Sequence, residues 1–213
     1  VLTTTDSMVK ELKDHDFTGD IISWTRGVDR DIFNSSYRNT HGANSLNNVR
    51  PLLVCVSRVS KEKNLEQFFE LDHPGLKVMI GDGPMLETYK KKYPNVHFTG
   101  FLTGVPLARY YANADVFVFP SKTDTFGLVL LEAMACGTPV AAYPVTGPID
   151  VLGHSNAGAM SDDLREACLQ ALKIPRESAR AHAERFSWKA ATDEFVRHLK
   201  PVPTPQVHLT AIA

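Results

Sequence analysis

The chain has only three cysteines in 213 residues, Cys55, Cys136 and Cys168, at wide spacing. An odd number so far apart builds neither a disulfide framework nor a zinc site, and reads as buried or half-buried thiols of a reduced, intracellular protein. Long apolar runs are missing too. No stretch approaches the roughly 18–20 residues that cross a bilayer. Excess charge of one sign is absent, with a formal net charge of −1 at pH 7. That gives no support to a general nucleic-acid binder, although a local basic site is compatible with it. The start, Val1-Leu2-Thr3-Thr4-Thr5, has no initiator Met and no basic stretch leading into an apolar one. It does not read as a signal peptide and is expected to be the interior of a longer protein, cut at a strand. No internal repeat is visible.

What is present is enough chain for one full-sized domain and a fragment of another, with an ordinary hydrophobic content of 43%. Residues 1–5 predict a short strand, followed by a helix capped by Asp6 or Ser7 with Glu11 in its first turns. Asp20–Trp24 predicts a second strand, and Gly27 a tight turn after it. Residues 34–50 are polar and aperiodic and read as a linker. Beyond Pro51 the pattern becomes regular. Strands are expected at 52–56, 76–80, 96–98, 116–119 and 139–142, with helices near 61–72, 84–93, 104–113 and 126–136. Short apolar strands alternating with helices imply βαβ units and a parallel sheet covered on both faces. The expectation is therefore an α/β chain. Its parts are a leading segment 1–33, the linker 34–50, and a Rossmann-like, doubly wound domain over 51–174. Terminal helices follow over 175–200, with Ser187 as a cap and Trp188 as an apolar anchor, and then a tail over 201–213.

Parallel sheets bind ligands outside the carboxyl ends of their strands, so the informative residues should follow strands. Arg58 and Lys63 flank the loop after the first domain strand. Two cations there suit a diphosphate, or are simply a solvated charged loop. Gly81-Asp82-Gly83-Pro84 contains a Gly-x-Gly, but Leu86 stands where a dinucleotide fingerprint needs its third glycine. It reads equally as a strand-to-helix turn with Pro84 near the first helical position. After the third strand, Phe101 and Leu102 are either walls of a base pocket or core aromatics and aliphatics at a turn.

The most informative stretch runs from Pro120 to Pro139. An apolar strand leads into a polar loop and then a helix whose only charge between Leu128 and Cys136 is Glu132. A lone carboxylate on such a helix must reach water at a cleft or meet partners. Free N–H groups at Phe126, Gly127 and Leu128 would suit an anion or sugar oxygen, with Glu132 on a ribose diol. The plainer alternative has Asp124 capping the helix and Glu132 paired with an Arg or Lys.

Taken together, Arg58-x4-Lys63, Gly81-Asp-Gly-Pro84, the turn at 98–100 and Asp124-x7-Glu132 followed by Gly137-Thr-Pro139 resemble the donor half of GT-B fold retaining glycosyltransferases of family GT4. Trp24-Thr-Arg-Gly-Val-Asp29 resembles the crossover into that half, and Phe186-Ser-Trp188 the opening of its terminal helix. The resemblance covers about residues 1–200 and is nearest to lipid and cell-envelope enzymes, including sulfolipid-synthase-like and mannosyltransferase-like members. It implies that residues 1–33 end an acceptor domain and that 51–174 bind a nucleotide-sugar donor. Arg58 and Lys63 would hold the donor diphosphate, Asp124 the donor sugar and Glu132 the ribose. Phe126, Gly127 and Leu128 would offer backbone N–H groups, and Gly81, Phe101 and Leu102 would border the nucleotide. The family motif usually starts with Glu, so Asp124, one methylene shorter, is a departure at the sugar contact.

The expected function is transfer of a sugar from a nucleotide-diphosphate sugar to a lipid, glycan or small-molecule acceptor. Configuration would be retained, with no cofactor, no metal and no nucleic-acid partner. The 213-residue chain is expected to bind donor yet be inactive alone, in the cytoplasm or, within a longer protein, peripherally at the cytoplasmic membrane face. The alternatives are a non-catalytic nucleotide-sugar module, another GT-B enzyme such as an epimerase, a phosphorylase, or an NAD-linked dehydrogenase. A pyridoxal-phosphate lysine signature is missing for the phosphorylase. The missing third glycine argues against the dehydrogenase.

Overall fold

A computed structural model describes residues 1–38 and 49–199, so most of the expected linker and the 201–213 tail lie outside the described residues. In chain order the elements are β1 (Leu2–Thr3), α1 (Asp6–Asp14), β2 (Ile22–Ser23), β3 (Leu52–Val56), α2 (Glu66–Phe69), β4 (Leu76–Ile80), α3 (Leu86–Lys92) and β5 (His97–Gly100). Then come α4 (Gly104–Asn113), β6 (Val116–Phe119), α5 (Leu128–Ala135), β7 (Val140–Ala142), α6 (Pro148–Leu152), β8 (Gly158–Met160), α7 (Leu164–Ala171), α8 (Arg176–Ala183) and α9 (Trp188–Arg197).

Strands β3–β8 form one six-stranded sheet in the order β5-β4-β3-β6-β7-β8, with every pairing parallel. The period-2 geometry of a strand sends neighbouring side chains to opposite faces. Leu52, Val54, Phe117 and Phe119 therefore join one apolar cluster, and Leu53, Cys55, Val116 and Val118 the other. The central strands β3 and β6 are buried on both faces, which is why they read as unbroken apolar runs. The chain builds outward from β3 to β5, then crosses back to place β6 on the other side of β3. That reversal opens a crevice at the carboxyl ends of β3 and β6, where doubly wound sheets bind ligands. The architecture is the expected Rossmann-like one.

Several local expectations are corrected. Thr5, extended at φ −145°, caps α1 by accepting from Met8 N at 3.2 Å. Asp6 and Ser7 are already helical. The second strand is confined to Ile22–Ser23, the third domain strand shifts to His97–Gly100, and α3 starts at Leu86, two residues past Pro84. The helix expected over 61–72 is interrupted. A 3-10 turn at Lys61–Lys63 ends at Asn64, left-handed at φ 54°, before α2 begins. Asparagine tolerates that conformation, and its Nδ2 donates to Pro120 O at 3.0 Å. Gly27 allows close approach rather than a turn, because a Cβ there would lie 2.1 Å from Trp188 N. Ser187 does cap α9, accepting from Ala190 N at 3.1 Å, but Trp188 is 44% exposed. The anchor is Trp24, 4.9 Å from the Phe195 ring and donating to Ala191 O at 2.7 Å. β8, α6 and α7 were not anticipated. A three-residue strand that opens on glycine carries too little pattern to be read.

Candidate functional site

A cleft of about 480 Å³ opens at the carboxyl ends of β3 and β4, closed by the turn after β5 and by α5. Ser57 and Arg58 follow β3, Gly81 and Asp82 follow β4, and Phe101 and Leu102 follow β5. Val129 and Glu132 face it from α5. Five residues separated by up to 74 positions in the chain, Arg58, Gly81, Phe101, Leu102 and Glu132, therefore share one wall. The strand-end rule had marked each of those loops separately, and the parallel sheet brings them together.

Gly81 lines the cleft and also builds it. Its φ is 144°, and a Cβ would fall 1.9 Å from Ser57 O. A Cβ on Gly83 would fall 2.4 Å from Val59 O. The two glycines let the β4 loop lie on the β3 loop, where Val59 N donates to Asp82 O at 2.8 Å. The Gly-x-Gly thus has the close-packing role of a strand-to-helix turn, and it positions Arg58. The Arg58 guanidinium donates to no described residue. Phe101 is 72% exposed at the rim, while Leu102 is half-buried and packs on the core.

Lys63, Asp124, Phe126, Gly127 and Leu128 do not line the cleft. Asp124, Phe126 and Gly127 lie in the loop that leads into Leu128 at the start of α5, and Lys63 reaches them from the 3-10 turn after β3. Lys63 Nζ lies 3.0 Å from Asp124 Oδ2, with both side chains about three-quarters buried. Asp124 therefore pairs across loops and does not cap the helix. The cap position is Gly127, left-handed at φ 84° and without a capping side chain. Among the described residues the N–H groups of Phe126, Gly127 and Leu128 have no acceptor. Phe126 is buried, whereas Leu128 is 42% exposed.

Glu132 meets neither an Arg nor a Lys among the described residues. Its Oε2 accepts from the hydroxyl of Tyr111 at 3.0 Å. Burial raises its carboxyl pKa above the ordinary value, and the Tyr111 hydrogen bond offsets part of that rise. Tyr111 was missed from the sequence, since a tyrosine at helical spacing among alanines and leucines reads as core. No group of three or more His, Cys, Asp or Glu able to hold a metal is present among the described residues. No described helix is long and apolar enough to cross a membrane.

Comparison with known proteins places this geometry in a family. Residues 36–185 match the family described as glycosyl transferases group 1. The sulfoquinovosyl transferase of Arabidopsis thaliana is 34% identical over 195 residues, covering 81% of this chain and 38% of that protein. A GDP-mannose-dependent alpha-mannosyltransferase of Corynebacterium glutamicum is 30% identical over 210 residues, covering 91% of this chain and 50% of its own length. Among solved structures, sucrose-phosphate synthase from Thermosynechococcus elongatus superposes with a TM-score of 0.79 at 23% identity, over 92% of this chain and 56% of that one. Anabaena HepE in complex with UDP gives 0.72 at 17%, over 92% and 62%. The fold is shared with these structures, and the chain spans about half the length of the curated relatives or less. The chain belongs to the group 1 glycosyltransferase family.

Proposed function

We propose, with membership of that family as the premise, that the chain is the donor-binding part of a retaining glycosyltransferase. It takes a sugar from a nucleotide-diphosphate sugar for a lipid, glycan or small-molecule acceptor. The observation that carries this is the convergence of Arg58, whose guanidinium donates to no described residue, the carboxylate of Glu132 and the Phe101–Leu102 turn on one cleft at the carboxyl ends of β3 and β4. In this reading the base lies against Phe101 and Leu102, the ribose on Glu132 and the diphosphate toward Arg58. The sugar then extends toward the N–H groups of residues 126–128.

Departure of the nucleoside diphosphate leaves an oxocarbenium-like sugar and a growing negative charge on the leaving oxygen. The demand is electrostatic, and it is met by Arg58, Lys63 and the start of α5. Lys63 must exchange Asp124 for phosphate, which frees the Asp124 carboxylate for the donor sugar. The reading requires no metal ion or cofactor. The chain alone binds donor and transfers sugar poorly or not at all, and transfer at full rate by these 213 residues would overturn that division of labour.

The curated mannosyltransferase relative is GDP-mannose-dependent, and the Anabaena structure holds UDP. GDP and UDP are therefore the first nucleotides to compare, with ADP as the third. A ligand at one hundred times its Kd stabilises the folded state by about 2.7 kcal/mol, a thermal shift of several degrees. A shift with one of the three supports the reading and identifies the base. No shift with any of them overturns it.

A further inference from the structure

Glu132 is held from behind. Tyr111 is fully buried, and its ring sits edge-on to Phe33 at 6.0 Å and to Phe117 at 5.5 Å between centroids. Its backbone is fixed as well. Thr138 Oγ1 donates to Tyr111 O, and Arg176 Nη2 donates in turn to Thr138 Oγ1 at 3.0 Å. A ring caged on both sides cannot swing, so its hydroxyl is presented at one point. Its described partner there is Glu132 Oε2, at 3.0 Å. A carboxylate is planar, and fixing one oxygen fixes the direction of the other. Glu132 Oε1 has no described partner, and the residue lines the cleft.

We infer that Tyr111 is a positioning residue, which locks Glu132 with one oxygen toward the cleft and thereby sets a preference for a ribonucleoside diphosphate over its deoxy counterpart. This rests on the reading above that Glu132 takes the ribose. A free glutamate would lose rotamer freedom on gripping a diol, and that loss weakens binding. Here the side chain is ordered before the nucleotide arrives. Tyr111 itself touches no ligand. Its effect should therefore show only where the ribose hydroxyls are present, and vanish where they are absent.

The test is calorimetry on the full chain, with whichever of UDP, GDP and ADP gives the largest thermal shift and with the 2′,3′-dideoxy form of the same nucleotide. The readout is the ratio of the two affinities. Tyr111→Phe is expected to shrink that ratio about five-fold, the size of one buried hydrogen bond, and to leave the dideoxy affinity unchanged. Glu132→Gln should shrink it further, and adding Tyr111→Phe to that variant should change nothing more. If Glu132→Gln shrinks the ratio but Tyr111→Phe leaves it at the wild-type value, the positioning role is overturned while the ribose reading stands. Equal weakening of both nucleotides by Tyr111→Phe also overturns it, because that is a general structural effect. If Glu132→Gln leaves the ratio intact, the ribose reading itself falls and this inference falls with it. Should Tyr111→Phe not fold, a crystal structure of the wild-type chain with the nucleotide decides. Ribose hydroxyls on Glu132 with the Tyr111 hydroxyl still on its second oxygen support the inference, and a Tyr111 hydroxyl turned away from Glu132 overturns it.

Discussion

The two ends of the sheet use arginine in opposite ways. At the amino ends of the strands, Arg176 donates to the carbonyls of Ala112 and Ala114, each at 2.5 Å, and to Thr138 Oγ1. Arg50 Nη1 donates there to Asn113 O at 2.7 Å and Asp115 Oδ2 at 2.9 Å, and the same carboxylate oxygen accepts from Leu52 N at 2.7 Å. These cations close the ends of α4 and α5 onto β3, β6 and β7. At the carboxyl ends, Arg58 has no described acceptor and Lys63 has one carboxylate. A cation with several acceptors within the protein holds the fold. One left unmatched beside a cleft is available to a ligand.

The contrast can be broken by moving from structural to binding residues. Arg176→Ala should have the largest effect, leaving buried carbonyls without donors. We expect a loss of about 3 kcal/mol of stability, read by urea denaturation, and a loss below about 1 kcal/mol would contradict the structural assignment. Glu132→Ala should act chiefly on binding, with a smaller loss of stability because the buried Tyr111 hydroxyl loses its described partner. Nucleoside diphosphate affinity should fall by about 2 kcal/mol, roughly thirty-fold, by calorimetry. Arg58→Ala should weaken diphosphate binding by about 1.5 kcal/mol and barely affect the nucleoside, while changing stability by less than about 0.5 kcal/mol. An Arg58→Ala chain as unstable as Arg176→Ala would erase the distinction between the two ends.

The pH dependence sharpens it further. Burial raises the Glu132 carboxyl above 4.5, so the folded chain holds that proton more tightly than the unfolded one. The stability due to this group is full below 4.5 and is lost as the pH rises through the raised value. Nucleotide binding through the ionised carboxylate should move the other way and strengthen over the same window. The Tm difference between wild type and Glu132→Gln, followed from about pH 4 to about pH 7, should show the first trend and calorimetry the second. Asp124→Asn should cost little stability, less than about 1 kcal/mol, since its pair with Lys63 still reaches solvent.

Much of this was legible before the structure. The strands expected at 52–56, 76–80 and 116–119 match residue for residue. Arg58, Gly81, Phe101, Leu102 and Glu132 were each marked because they follow strands or stand out as lone charges. The misses have local causes. Asn64 broke a helix because a left-handed turn there meets Pro120 O, a contact 56 residues away. Trp24 and Trp188 exchanged roles because Gly27 brings the start of α9 against the leading segment, which leaves Trp188 facing solvent.

The alternation of strands and helices from β3 to β7, and the family resemblance, follow from the sequence alone, because side-chain periodicity and turn residues act locally. Which arginine is free and which is engaged was decided only by the tertiary structure. Arg58 and Arg176 are chemically identical, and the difference lies in carbonyls delivered by α4 and α5 at the far end of the sheet. The partner of Glu132 was decided in the same way. A lone acid on an apolar helix demands either water or a donor, and it took the packing of α4 against α5 to supply both, with the Tyr111 hydroxyl behind and the cleft in front.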